Sequence, residues 1–265
     1  MLQINNEQLK QFYEKCQKDK LIGIDTEFYR VNSYYPKLCL IQLSNTSESI
    51  FLDPINEEIN FDYIKKVLFN TKIKKILHAA RQDIEIFYNI YKKIPRPLID
   101  TQICLLALGY PHSTSYAKAC SDFLNVKINK ANQFIDWRSR PLSKDRVLYA
   151  INDVKYLIPL YKKINKKLKL KKKESFLKSS HRKISNINIY SERIDRAWER
   201  LKFRTNSKKE LNDLKRFSKI REKIAMQKDV PVKRIITDSE IKLICRIKVK
   251  KDVKKRILKK LHRND

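Results

Sequence analysis

Four carboxylates and one tyrosine stand inside otherwise apolar segments: Asp25 and Glu27 in LIGIDTEFYR, Asp83 in ILHAARQDIEIFY, and Tyr149 with Asp153 in VLYAINDVKYL. LIGIDTEF has the apolar density of a buried strand, where side chains two apart share a face, so Asp25 and Glu27 point the same way at close range. Two like charges held together are unfavourable unless a positive charge lies between them. Tyr149 and Asp153 are four apart and therefore neighbours on one face of a helix running through LSKDRVLYAINDVKYLIPLY. The stripe Val147, Ile151, Val154, Ile158 and Tyr161 docks that helix and leaves the polar pair beside the seam. Oxygen-only ligands suit Mg²⁺ or Mn²⁺, which keep several waters and use a few carboxylates together with substrate phosphate. Zinc fits less well, because His78, His112, His181 and His262 are scattered and none pairs with another histidine or a cysteine at ligand spacing. Two such ions roughly 3.5–4 Å apart clamp the attacking and leaving oxygens of a phosphodiester in line. The chemistry implied is metal-dependent phosphodiester hydrolysis.

Each motif alone has a plainer reading. Asp25 and Glu27 read as solvated charges at a strand end, Asp83 as a first-turn acid complementing the helix dipole, and Tyr149 with Asp153 as a surface pair. Their conjunction, at separations that fit a strand, a helix start and a later helix, favours the chemical reading.

The elements that must position them follow from periodicity. MLQINNEQLKQFYEKC is an amphipathic opening helix with Leu9, Phe12, Tyr13 and Cys16 on one side, and it lacks the pattern of a targeting signal. Apolar strands are expected near 21–27, 38–44 and 48–53, a helix over 61–69 and a strand over 73–78. Asp83 begins the helix of QDIEIFYNIY, helices follow around 101–108 and 115–124, and a loop runs from 125 to 142, after which Ser143 caps the Tyr149 helix. That loop carries Trp137, Arg138 and Arg140, an aromatic able to stack a base or to pack, and guanidiniums able to meet phosphate. An extended sheet followed by α/β alternation is an α/β fold.

Composition is that of a globular protein, with 42% hydrophobic residues in 265. No apolar run reaches the roughly 18 residues that suggest a membrane span. Five cysteines, Cys16, Cys39, Cys104, Cys120 and Cys245, lack any C-x-x-C spacing and read as reduced apolar fillers of a cytoplasmic protein. Charge is lopsided: residues 1–160 hold 23 Lys and Arg against 17 Asp and Glu, residues 161–265 hold 37 against 12. A negative polymer is the expected partner of the second half, although drift toward lysine accounts for part of the excess. KKINKKLKLKKKESFLKSSHRK, residues 162–183, reads as the end of one helix and then a solvated basic tether. From about Ser191 the pattern is helical, with Trp198, Leu201, Leu211, Leu214, Phe217, Ile220 and Ile224 at helical spacing, a break at Pro231, and a capping box of Thr237 and Glu240.

DTEFYR, YYPKLCLIQLS, HAARQDIEIF, FIDWRSRPLS and LYAINDVKYL, in that order, resemble the ribonuclease D branch of the DEDDy 3′–5′ exonucleases, over about residues 3–165. The resemblance implies a ribonuclease H-like mixed sheet flanked by helices. It makes Asp25, Glu27, Asp83 and Asp153 the ligands of a two-metal Mg²⁺ or Mn²⁺ site and Tyr149 the residue that positions the attacking water. Thr26, Phe28, His78, Trp137 and Arg138 are then candidate substrate contacts, with Arg81 a lesser one. AWERLK, LNDLKRFSKIREKIA and DVPVKRIITDSEI resemble the HRDC helical domain, a nucleic-acid-binding module, over about 192–262. Ribonuclease D commonly carries two such domains, and one fits before Asp265. The implied organisation is an exonuclease domain over 1–170, a basic linker over 171–190 and a small all-α HRDC-like bundle over 191–265. The implied activity is removal of nucleotides from the single-stranded 3′ end of an RNA, tRNA precursors foremost, with no protein partner implied. A DNA exonuclease of the same fold would use the same five residues, since RNA is distinguished by its 2′-hydroxyl. A basic RNA-binding protein with an idle nuclease scaffold is the alternative of another class.

Overall fold

Three apolar segments pair in succession: β1 (Leu21–Tyr29), β2 (Lys37–Ser44) and β3 (Ser49–Leu52) form an antiparallel meander. β4 (Lys74–Leu77) then joins the free side of β1 in parallel, and β5 (Leu98–Asp100) joins β4 in parallel, giving the order β3-β2-β1-β4-β5. The computed structural model describes residues 6–55, 61–128, 135–191 and 194–262. Residues 1–5 of the expected opening helix and 129–134 of the expected 125–142 loop lie outside them. The helices of this part are α1 (Asn6–Asp19), α2 (Phe61–Phe69), α3 (Arg81–Tyr91), α4 (Thr101–Ala107), α5 (Tyr116–Leu124), α6 (Lys144–Lys155), α7 (Leu157–Leu170) and α8 (Glu174–Ile184). The expected mixed α/β sheet with flanking helices is what forms. β5 is a strand that no expectation covered, because three residues carry no readable alternation.

The helix expected to run unbroken from Ser143 past Tyr161 is two helices that meet at Tyr156. Pro159 has no N–H to offer the Lys155 carbonyl and its ring crowds that position, so the ladder fails there. A side chain fills the gap: the Tyr116 hydroxyl donates to the Asn152 carbonyl at 3.3 Å and accepts the Tyr156 N–H at 3.1 Å, standing between two groups that an uninterrupted helix would join. The bend presses on β1 at Gly23, where an added β-carbon would collide with the Ser44 hydroxyl and sit 3.2 Å from Leu157 Cβ. Ser44 in turn donates to the Val154 carbonyl at 2.8 Å, one residue from Asp153.

Residues 171–190 do not form a tether. Within them α8 packs on α4 and β5, with Leu177 in the core around Cys104, Leu105 and Leu160. Between the lysines, Leu177, His181 and Ile184 fall on one helical face, and His181 is buried. Its Nε2 accepts the backbone N–H of Asp100 at 2.9 Å, satisfying an amide of the edge strand, while Nδ1 donates to the Leu177 carbonyl. Burial pushes its pKa below the ordinary histidine value, consistent with a neutral ring that accepts. His181→Phe keeps the bulk and removes the acceptor, so it is expected to cost about 1–3 kcal/mol, the penalty of an orphaned buried donor. Urea unfolding together with hydrogen exchange at the Asp100 amide checks this; an unchanged midpoint and full protection would refute it.

The chain divides into two compact units, residues 1–29 with 37–186, and residues 30–36 with 187–265. The second unit is helical: α9 (Asn188–Ser191), a 3₁₀ turn over Ala197–Leu201, α10 (Lys208–Gln227), α11 (Val232–Ile235), α12 (Asp238–Cys245) and α13 (Lys251–His262). Leu201, Leu214, Phe217, Ile224, Ile236 and Ile241 form its core, and the Thr237–Glu240 capping box starts α12 as the spacing predicts. Tyr34, from the chain between β1 and β2, belongs to that core. Its hydroxyl donates to Glu222 at 2.5 Å, and Glu222, wholly buried, also pairs with Arg200 at 2.6 Å. The backbone N–H groups of Tyr34 and Tyr35 both donate to Asp229, each at 3.0 Å.

Candidate active site

β1 is paired with β4 only through Gly23, opposite Ile76, so its residues 25–29 run on beyond the carboxyl end of β4 at Leu77. Asp25 and Glu27 lie on this overhang, and a bulge between Glu27 and Phe28 re-aims the strand where it leaves the sheet. Asp153 arrives from the last turn of α6, just before the break at Tyr156. Carboxylate oxygens of Asp25, Glu27 and Asp153 all lie within 4.8 Å of one another.

Asp83 sits in the first turn of α3 and is buried. It accepts the Thr26 hydroxyl at 2.5 Å and the Thr26 backbone N–H. The strand therefore turns its carboxylates to one side and uses the intervening threonine to hold the fourth acid. Asp83 stands outside the close trio but near enough that its charge raises the pKa of Asp25 and Glu27.

Every acid of the group is displaced upward. Burial raises Glu27 to about 9, with Asp153 and Asp83 adding to it, and raises Asp83 and Asp153 to about 7. Asp25 is pushed well above the carboxylate range by burial and by the other three charges. Tyr149 hydrogen-bonds Asp153, and burial with the negative charges around it pushes its phenol upward too, so it keeps its proton. Such a cluster fits a divalent cation, which would neutralise oxygens that burial and mutual repulsion leave unfavourably charged.

That misfit has a pH signature. Each carboxyl has a folded pKa above its unfolded one, so the folded state binds more protons than the unfolded one above about pH 4, and stability falls as pH rises through about 7 and 9. Metal-free protein is expected to melt at progressively lower temperature across that range, and Mg²⁺ to restore most at the alkaline end. Thermal melts in chelator and in Mg²⁺ at several pH values check it; a Mg²⁺ effect independent of pH would contradict the cluster's electrostatics.

The remaining expected residues divide. His78 has both ring nitrogens engaged: Nε2 donates to the Thr114 carbonyl at 3.0 Å and Nδ1 lies 2.9 Å from the Thr101 hydroxyl. Thr26 is buried, with its hydroxyl on Asp83. Trp137 is 3% exposed and packs 6.0 Å from the Tyr149 ring, so it backs the tyrosine and offers no stacking face to solvent. Arg140 is consumed by Asp53, at 2.5 and 2.6 Å, and by the carbonyls of Cys39, Trp137 and Ser139. Arg138 remains outside: it stacks 3.5 Å over the Tyr29 ring, pairs with Asp136 at 2.7 Å, and is half exposed. Phe28 is half-buried at the bulge.

Two positioning residues escaped the sequence reading. Asp100 caps α4 by accepting Gln102 N–H at 2.8 Å, and it also accepts the N–H groups of Ala79 and Ala80 at 3.1 and 2.9 Å. It thereby fixes the left-handed turn at Ala79, φ 56°, from which α3 and Asp83 start. An Asp directly before a helix is a readable cap. Tyr116 is the other, and nothing local announces it, because its partners lie about 40 residues on.

Residues 4–169 match the family model described as 3′–5′ exonuclease. The chain is 35% identical over 234 residues to a ribonuclease D of Sphingobium indicum, an alignment spanning 88% of this chain and 60% of that one. It is 35% identical over 217 residues to a ribonuclease D of Bartonella henselae, covering 82% and 53%. The chain thus spans about 60% or less of the length of these curated relatives. Among solved structures, Escherichia coli RNase D, described as an exoribonuclease involved in structured RNA processing, superposes with a TM-score of 0.75 at 25% identity over 98% of this chain and 73% of that one. The catalytic core of RRP6 from Trypanosoma brucei shares the fold, with a TM-score of 0.66 at 24% identity over 98% and 77%.

Proposed function

Because this chain belongs to the 3′–5′ exonuclease family, we propose that it is a ribonuclease D-type exoribonuclease that hydrolyses RNA from the 3′ end and releases nucleoside 5′-monophosphates. The observation that carries this reading is the trio Asp25, Glu27 and Asp153, with Asp83 held by Thr26 and Tyr149 bonded to Asp153. We assign Mg²⁺ or Mn²⁺ as the cofactor, two ions held by Asp25, Glu27, Asp83 and Asp153. Bound there, divalent cations supply charge neutralisation of the phosphodiester and a lowered pKa for water.

The chain's own groups do the rest. Tyr149 keeps its proton and is fixed through Asp153 and the Trp137 ring, so it orients the nucleophilic water and does not deprotonate it. Water adds to phosphorus as the bond to the 3′ oxygen breaks, and that oxygen leaves with a proton. Thr26 donates to Asp83 and so favours its ionised form, opposing in part the upward push of burial. Arg138, on the exposed side of the Tyr29 ring, is the guanidinium available to a phosphate, and Phe28 the half-buried ring available to the terminal nucleotide.

The first unit is the exonuclease in this reading and the second an HRDC-like nucleic-acid-binding bundle, supported by the cationic excess of residues 187–265, 26 Lys and Arg against 11 Asp and Glu. The substrate in this reading is RNA with a single-stranded 3′ end, supported by the relatives named ribonuclease D, with tRNA precursors the proposed class that the motif resemblance implies. Among the described residues no helix is long and apolar enough to cross a membrane. All five cysteines are free thiols, which suits the cytoplasm.

The test is digestion of 3′-extended RNA and of matched DNA with Mg²⁺, with Mn²⁺ and with chelator. Stepwise shortening of RNA to 5′-monophosphates, abolished by chelator, is expected. Faster digestion of DNA assigns the DNA exonuclease instead, and chelator-resistant cleavage or none removes the reading.

A further inference from the structure

The first unit carries a second concavity, of about 1220 Å³, lined by none of the five candidate catalytic residues. Its floor is apolar: Leu98 and Ile99 of β5, Tyr161 of α7 and Leu177 of α8. Its rim is cationic: Arg96, Lys178, Arg182 and Lys183. Among the described residues no lining side chain is a carboxylate. Among the described residues Lys178, Arg182 and Lys183 have no ion-pair partner and all three are exposed. Arg96 is held in place by donating to the Ser185 carbonyl at 2.6 Å, one of its five donors.

We propose that this groove holds a single-stranded stretch of RNA, its bases against the Tyr161 floor and its phosphates on Arg96, Lys178, Arg182 and Lys183. The proposal rests on the RNA reading above for the identity of the polyanion. Three observations select that occupant. Lys178 and Arg182 are four apart on α8, so they face each other across one turn, a like-charge arrangement that weakens a helix unless an anion lies between. The volume exceeds the roughly 300–1,000 Å³ of an ordinary small-ligand pocket, leaving room for more than one nucleotide. A concave apolar floor with a half-buried tyrosine suits flat bases, the pairing of stacking platform and cationic groove by which single strands are held, whereas a bilayer surface would require a convex or flat face.

The bland account, that any lysine-rich surface of this chain attracts RNA, is tested alongside. Full-length Lys178→Glu/Arg182→Glu is compared with Lys10→Glu/Lys65→Glu, exposed positions on α1 and α2 that impose the same change in net charge. Fluorescent oligouridylates of about 3 and about 25 nucleotides, lengths below and above the roughly 4–16 nucleotides of a typical single-strand site, are titrated in chelator at several salt concentrations. The groove variant is expected to bind the long strand about tenfold more weakly, with a log–log salt slope smaller by about 1.4, two contacts at about 0.7 each. Binding of the short strand, and its Mg²⁺-dependent hydrolysis, are expected to stay at the parent level. Equal weakening in the two double variants, or equal weakening for short and long strands, overturns the proposal. Tyr161→Leu, which keeps the floor apolar but removes the ring, is expected to weaken the long strand about fivefold, within the range for one lost stack. Hydrolysis of the short strand by the parent protein reports separately on the exonuclease reading, so the groove and the activity can fail independently.

Discussion

Asp25→Asn is expected to reduce Mg²⁺-dependent release of nucleotides by about 10³-fold, because a metal site supplies several kcal/mol of charge stabilisation and each 1.36 kcal/mol is a factor of ten. Asp25 has the most to lose: it sits on the β1 overhang within reach of Glu27 and Asp153, and it feels the charges of all three other acids. The same substitution should raise the melting temperature of the metal-free protein at neutral pH, since it removes a carboxyl that is ionised in the unfolded chain and that folding must protonate against burial and three neighbouring acids. Loss of activity with gain of apo stability is a combination that misfolding cannot imitate. Single-turnover digestion of a short RNA, paired with melts in chelator, reads both signs at once. Undiminished turnover, or lost activity accompanied by lost stability, would remove Asp25 from the metal site.

Tyr149→Phe is expected to lower kcat by about 10²-fold with little change in RNA affinity, the span of a single positioned hydrogen-bonding group in catalysis. The ring is already supported by Trp137 and the surrounding core of Cys39, Leu40, Phe51 and Ile151, so the phenylalanine has a place to pack. Only the hydroxyl and its bond to Asp153 disappear. Since the phenol is pushed upward by burial and by Asp153, Glu27 and Asp25, no alkaline limb belonging to Tyr149 should appear in the pH–rate profile of the parent protein below the range where the fold itself fails. A variant that turns over normally but binds RNA poorly would move Tyr149 from the water to the substrate.

What the bare sequence made legible was polarity out of place. Asp25, Glu27 and Asp153 are conspicuous because their neighbours are Ile, Val and Leu, and strand and helix periodicities alone put them on matching faces. The parts that escaped are those whose signal is short or distant. β5 has three residues. The break at Tyr156 was readable at Pro159 and was outweighed by an unbroken apolar stripe. α8 hid in lysines: composition over 171–190 argues for a tether, while the decisive feature is one buried face, Leu177 and His181, within eleven residues. A fragment ending at residue 170 would therefore strip the cap from Asp100, whose carboxylate steadies the turn into α3. Adjacency in sequence carries no information about which side of a strand or loop a group faces once folded, so the bond of Thr26 to Asp83, the two ring contacts of His78 and the packing of Trp137 on Tyr149 were not readable.

Tyr34 lies in the chain between two strands of the nuclease sheet, yet its side chain is core to the helical bundle, with its hydroxyl on Glu222 and its amide on Asp229. A bundle built this way is not contiguous in the gene. Recombination with a crossover after residue 186 would deliver helices that lack their tyrosine, and leave behind a tyrosine that has lost its glutamate. Lineages that exchange or discard the tail must therefore also rewrite the stretch 30–36, a long-distance dependence that follows from a chain passing between the units three times, at 29/30, 36/37 and 186/187.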